Sequence, residues 1–161
     1  MKMSWLKGKQ WIPYRRDMLE SPAYRNLSAL ARDALHAVEI EHLRCAGKEN
    51  GNLIVPYNVI RKYCKGASKR RIAQALREME VLGFLEIKRG RMSGGKPVPS
   101  QYRLTHLPGH NGGSPSDEWE EIKTDEEANQ RLSKITQKQP KTARFKAYLA
   151  SPDDGFSGSY G

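Results

Sequence analysis

At Gly83 the hydrophobic period of this chain changes from that of a helix to that of a strand, with no loop between them. Ahead of it, Ile72, Leu76, Met79 and Leu82 recur at helical spacing, so one stripe of the segment faces a core. Ser68 is placed to cap the start of that helix, and Gly83 suits the left-handed residue that closes one. Behind it, Leu85 and Ile87 alternate with Glu86 and Lys88, the two-residue period of a strand with one buried face. The pattern predicts a helix over 68–82, a strand over 84–89, a glycine-rich loop, and a return strand over 101–107. A chain built this way is mainly α with a small β-hairpin, in the α+β class.

The rest of the first two thirds supports that class. Residues 1–20 form a basic aromatic arm with Lys2, Trp5, Lys7, Lys9 and Trp11, in which Trp11 and Ile12 are expected to pack on the domain surface. Ser21 and Pro22 start a short helix, and Ser28 caps a long one over 29–46 whose core face is read as Leu30, Leu35, Val38 and Leu43. A turn at 47–52 leads to a short strand, Leu53, Ile54 and Val55; Pro56 then opens a helix over 57–64. Gly66 lies in the tight link to the helix at Ser68. Residues 21–107 are thus read as one domain, and 108–161 as a linker, an acidic helix and a flexible basic tail.

Charge gives these elements a direction. The net charge is +10 over 161 residues, but residues 1–107 carry 21 Lys and Arg against 9 Asp and Glu, while 108–161 carry 7 against 9. A basic excess concentrated on the folded part is the footprint of a polyanion binder. On the 68–82 helix, the stripe opposite the apolar one carries Arg70, Arg71, Gln74 and Arg77. Forked donors and an amide are the groups that read base edges and grip phosphates. The two cysteines, Cys45 and Cys64, do not make a disulfide framework, no cleavable leader is visible, and no run approaches a membrane span of about 18 apolar residues. A cytoplasmic, nucleoid-associated location with no membrane contact is expected.

The run from Ser21 to Leu107 resembles bacterial and phage winged helix-turn-helix proteins, including small regulators and the DNA-binding parts of replication initiators. The residues that carry the resemblance are SPAYRNLSALAR, NGNLIVPY, ALREMEVLGFLEI and QYRLT. It implies that helix 68–82 enters the major groove of double-stranded DNA, with Ser68, Lys69, Arg70, Arg71 and Gln74 nearest the bases. It further implies phosphate contacts from Arg77 and from a basic wing over 88–103 that includes Lys88, Arg89, Arg91, Lys96 and Arg103. Transcriptional regulation as a homodimer is the leading expectation. Origin binding in plasmid or phage replication, or a winged-helix adaptor that inhibits or tethers a partner protein, are the alternatives.

Other constellations point nowhere in particular. Of the histidines His36, His42, His106 and His110, His42 lies three residues from Cys45 and His106 four from His110, two separate pairs that lack the short paired-cysteine spacing of a zinc site. Gly94-Gly95-Lys96 lacks the strand–loop–helix context of a phosphate-binding loop. No nucleophile or acid/base arrangement can be assembled, so neither an enzyme nor a cofactor is expected. Seven acids over 117–127, read as one helix reaching Ile135, invite an autoinhibitory reading in which they dock on Arg70, Arg71 or the wing. A dimer contact or a tether for another protein are the alternatives.

Overall fold

The computed structural model describes residues 4–137; the expectations for Lys2 and for the basic stretch beyond Gln137 lie outside the described residues. Among the described residues, six α-helices and two small antiparallel sheets make up an α+β fold: α1 (Arg16–Glu20), α2 (Pro22–Arg25), α3 (Ala29–Arg44), α4 (Tyr57–Tyr63), α5 (Lys69–Val81), β1 (Leu85–Lys88), β2 (Arg91–Ser93), β3 (Lys96–Val98), β4 (Gln101–Leu104) and α6 (Asp125–Gln137). Short 3-10 turns occupy Ser4–Leu6 and Glu118–Glu121.

Central to the packing is α3, capped by the Ser28 hydroxyl, which accepts the Ala31 N–H at 3.1 Å. Its fully buried alanines, Ala31, Ala34 and Ala37, put little bulk between backbones, and α4 and α5 both pack against it. The buried face is not quite the expected one. Leu35 and Val38 are inside, but Glu39 and His42 are buried beside them, and Leu43 is not among the core residues.

On α5, Ile72, Ala75 and Met79 are buried. The Phe84 N–H donates to Met79 C=O at 2.9 Å and the Gly83 N–H to Glu80 C=O at 3.3 Å. This is the Schellman closure that a left-handed residue permits, and Gly83 supplies it at φ +82°. Phe84 and Leu85 then go straight into the core, both essentially unexposed.

The hairpin is longer than one sheet. β1 and β4 pair antiparallel, with Leu85 opposite Leu104 and Ile87 opposite Tyr102 on the buried face and Glu86 opposite Arg103 on the outer one. The expected glycine-rich loop beyond them forms a second hairpin, β2 with β3. Its two-residue turn, Gly94 and Gly95, has positive φ at both positions, as a type I′ turn demands. The expected strand over 53–55 is reduced to a single bridge between Leu53 and Tyr102. Pro56, which has no N–H to extend a ladder, is already the N-cap of α4.

Core packing also continues past the change of composition at residue 108. Asn50, fully buried, accepts the Leu104 N–H at 2.7 Å and places its amide 2.9–3.2 Å from the carbonyls of Leu104, Leu107 and Pro108. Trp119 then stacks on Phe84 at 6.3 Å between ring centroids, and Ile122 and Ala128 are buried in the same core. The single acidic helix expected from Asp117 is two elements, the 3-10 turn Glu118–Glu121 and α6. Turning at Ile122 is what lets both Trp119 and Ala128 face inward.

The arm follows a simple alternation. Over residues 11–15 the exposed positions are Trp11, Pro13 and Arg15, and the half-buried ones Ile12 and Tyr14. Ile12 packs on the core as expected. Trp11 does not; it is 49% exposed, because an extended segment that turns Ile12 and Tyr14 inward must turn their neighbours out.

Candidate nucleic-acid interface

α4 and α5 are joined by a tight turn in which Lys65 and Gly66 both have positive φ. The Ser68 hydroxyl then accepts the Arg71 N–H at 3.4 Å, which commits Ser68 to starting the helix. The first turn of α5 contains Lys69, Arg70 and Arg71 and no acidic residue. The positive end of a helix dipole disfavours such charges. The contrast within the molecule is sharp, since α6 opens with Asp125, Glu126 and Glu127.

At about 100° per residue, Arg70, Gln74 and Arg77 project within about 60° of one another, opposite the Ile72–Ala75–Met79 stripe. Lys69 and Arg71 lie on the two flanks. Lys69, Arg70, Arg71 and Gln74 are exposed and Arg77 is partly so. Arg70, Arg71 and Arg77 have no ion-pair partner among the described residues, and Lys69 Nζ stands 5.7 Å from the Tyr57 ring centroid, within cation–π range.

Both acids of α5 are occupied elsewhere. Glu78 accepts the Ser28 N–H at 3.2 Å and so braces the start of α3; Glu80 accepts from Arg89 at 2.6 Å. On one flank of the exposed ridge, Glu80 thus ties α5 to the base of the hairpin. On the other, Gln74 and Glu78 share a cleft with Asn129, Leu132, Ser133 and Ile135 of α6, and Arg131 donates to the Val81 carbonyl at 3.4 Å. Gln74 therefore faces solvent on the side nearer α6.

The predicted wing residues divide into two groups. Arg89 is held by Glu80 and Arg103 by Glu86 at 3.1 Å, and both fix the hairpin to its surroundings. Lys88, Arg91 and Lys96 are exposed and unpaired among the described residues. No acidic residue occurs between Glu86 and Asp117, so the tip itself carries charge of one sign only. Lys62 and Lys65 are also exposed, at the end of α4 and in the turn before α5. They belong to the RKYCKG run, and the expectation that the first helix of such a pair crosses the DNA backbone is the signal that could have found them.

The acidic segment does not dock where autoinhibition requires. Asp117 and Glu120 bind Arg15 at 2.6 and 2.7 Å, Asp125 faces Arg25 and Asn26, and Glu121 takes Arg131. Among the described residues none of these carboxylates pairs with Arg70, Arg71 or a basic residue of the hairpin, although the Asp117 N–H donates to the Thr105 carbonyl at 3.0 Å. Trp119 sets this placement: buried against Phe84, with the Arg15 guanidinium 5.2 Å from its ring centroid, it holds its acidic neighbours beside α1.

A second polar cluster is built around a buried carboxylate, with the exposed His36 on its outer side. Glu39 is 3% exposed; its carboxylate accepts from the Tyr14 hydroxyl at 2.6 Å and lies 3.0 Å from His36 Nδ1 and 3.2 Å from His106 Nε2. Burial alone would raise its carboxyl, but the groups around it outweigh burial and hold it below the usual carboxylate range. His42, buried nearby, is pushed below the usual imidazole range by burial and then by His106. The cluster fastens the arm to α3 and to the end of the return strand. Among the described residues no three or more His, Cys, Asp or Glu side chains form a metal-binding group, and no helix is long and apolar enough to cross a membrane.

The chain matches no known family model, no curated protein and no solved structure.

Proposed function

We propose that the chain is a sequence-specific, double-stranded DNA-binding protein of the winged helix-turn-helix type, acting as a transcriptional regulator. In this reading α5 enters the major groove. Arg70, with Lys69, Arg71 and Gln74, is directed at base edges, and Arg77, Lys88, Arg91 and Lys96 at phosphates.

One observation carries the reading: three cations crowd the first turn of α5 against the helix dipole, with no carboxylate to neutralise them. A solvated helix face gains nothing from that arrangement. A phosphate backbone gains a great deal, through release of condensed counterions. The order of elements adds support, because a helix, a glycine-containing turn, a second helix and a basic hairpin follow one another without interruption.

Selection of preferred duplexes from a random pool, followed by anisotropy titration at several salt concentrations, tests it. An enriched site bound with steep salt dependence is the expected result, and a palindromic site would fit a homodimer. Negligible duplex affinity at low salt would overturn the reading and favour a protein adaptor.

A further inference from the structure

The tip of the hairpin is unusual in being uncovered on both faces. All six residues of β2 and β3 are exposed, and the pair forms its own two-stranded sheet. It is set off from β1 and β4 where Gly90 passes so close to Val98 that a Cβ would stand 2.3 Å from the Val98 carbonyl oxygen. Two-stranded hairpins of this kind are marginal in water by themselves, and a tip serving only as a solvated turn would be filled with polar residues. Here Met92, Pro97 and Val98 are apolar, with Met92 68% and Val98 45% exposed.

The register arranges these residues. Directly opposed residues share a face, so Met92 and Pro97 form one face, while Arg91 with Val98 and Ser93 with Lys96 form the other. A two-residue turn makes Ser93 and Lys96 the hydrogen-bonded closing pair and Met92 and Pro97 the next, non-hydrogen-bonded one. That is where proline's missing N–H costs nothing, and where facing side chains approach most closely. Met92 and Pro97 thus form one contiguous apolar edge just behind the turn, with cations on the reverse face.

We infer that the Met92–Pro97 edge is a wedge that enters the minor groove of the bound duplex, partly unstacks a base step and bends the DNA. This rests on the duplex-binding reading above. The occupant is named by charge as well as by shape: a purely apolar partner would have no use for Lys88, Arg91 and Lys96 around the edge, whereas phosphates line both rims of a groove. The minor groove of B-form DNA is about 6 Å wide, narrower than a two-stranded ribbon with its side chains. The hairpin therefore fits only where the groove has been opened, and apolar wedges open it by kinking the duplex toward the major groove.

The test uses the full chain and a selected duplex carrying a donor and an acceptor dye at its ends, with 2-aminopurine placed in turn at steps flanking the major-groove site. Binding should raise end-to-end energy transfer and increase 2-aminopurine emission severalfold at one step. Met92→Ala, and Met92→Ser with Pro97→Ser as a second variant, should lose both signals while affinity falls by about tenfold or less; thermal melts check that each is folded. A wild-type complex with a straight duplex, or variants that bend DNA as well as wild type, would overturn the wedge and leave duplex binding intact. Failure of the wild type to bind any duplex at low salt would overturn both, and an adaptor's protein partner would then be the occupant to seek.

Discussion

Lys69, Arg70 and Arg71 stand where an α-helix least favours positive charge, and the consequences for stability and for binding run in opposite directions. Each charge of the wrong sign in an exposed first turn is worth about 0.3–1 kcal/mol at low salt. Lys69→Glu with Arg71→Glu should therefore raise the melting temperature by a few degrees while abolishing duplex binding; a fall in melting temperature would mean that the side chains stabilise the fold. Arg70→Ala removes one such charge without reversing it, so the melting temperature should rise only slightly. The substitution should relax preference at one or two base pairs by roughly 1–3 kcal/mol, about 5- to 150-fold, as measured on a panel of single-base variants of the selected site. Uniform weakening across the panel would place Arg70 on phosphate instead. At this scale the sequence was legible where the determinant is local: Ser68 capping and Gly83 closing α5 are contacts within one turn. It was not legible for Arg89 and Arg103, whose partners Glu80 and Glu86 are brought to them by the hairpin register and by the packing of α5.

At the scale of elements, α3 is where periodicity misled most. Leu43 lies one position beyond His42, and hydropathy favours the leucine as the buried residue. The face that meets the core is instead fixed by the run of Ala31, Ala34, Leu35 and Val38, whose continuation falls on Glu39 and His42. Burial of these two gives the fold an acid sensitivity in two stages. A histidine held neutral by burial has a folded value below its unfolded one, so stability is full above about pH 6.5 and declines as pH falls through the imidazole range. Glu39, held ionised, contributes stability that is present above the ordinary carboxylate value and is lost as pH falls through its lowered folded value. His42→Gln should flatten the first stage and leave the second, as read from urea midpoints between pH 7 and pH 3. An unchanged decline between pH 7 and pH 5 would assign the first stage to other groups. The hairpin, by contrast, was legible as an element because its alternation is strict; its glycine-rich loop was not legible as a second hairpin, whose type I′ turn two adjacent glycines define.

For the molecule as a whole, composition marks a boundary at residue 108 that packing ignores. Seven acids over 117–127 conceal two residues, Trp119 and Ile122, that the core requires, and charge density outweighed them in the sequence. Trp119→Ala removes the ring stacked on Phe84 and the surface that Arg15 covers. Buried aromatic truncations cost about 3–5 kcal/mol, so a large drop in urea midpoint is expected; a change under 1 kcal/mol would show the acidic segment to be an appendage after all.

The same division of charges fixes how strongly salt should act on binding. Paired cations are already neutralised by the protein and release few counterions, so only the free ones set the slope of log K against log salt, about 0.9 for each phosphate neutralised. With Arg77, Lys88, Arg91 and Lys96 facing phosphate, the slope should be about −4 per bound protomer. Lys96→Ala should reduce its magnitude by about 1 and weaken all duplexes alike. Arg103→Ala should leave the slope unchanged, because its charge is spent on Glu86. Titrations between 50 and 300 mM salt separate these outcomes, and equal slopes for the Lys96 and Arg103 variants would mean that the ion pairs at the base of the hairpin open when DNA arrives.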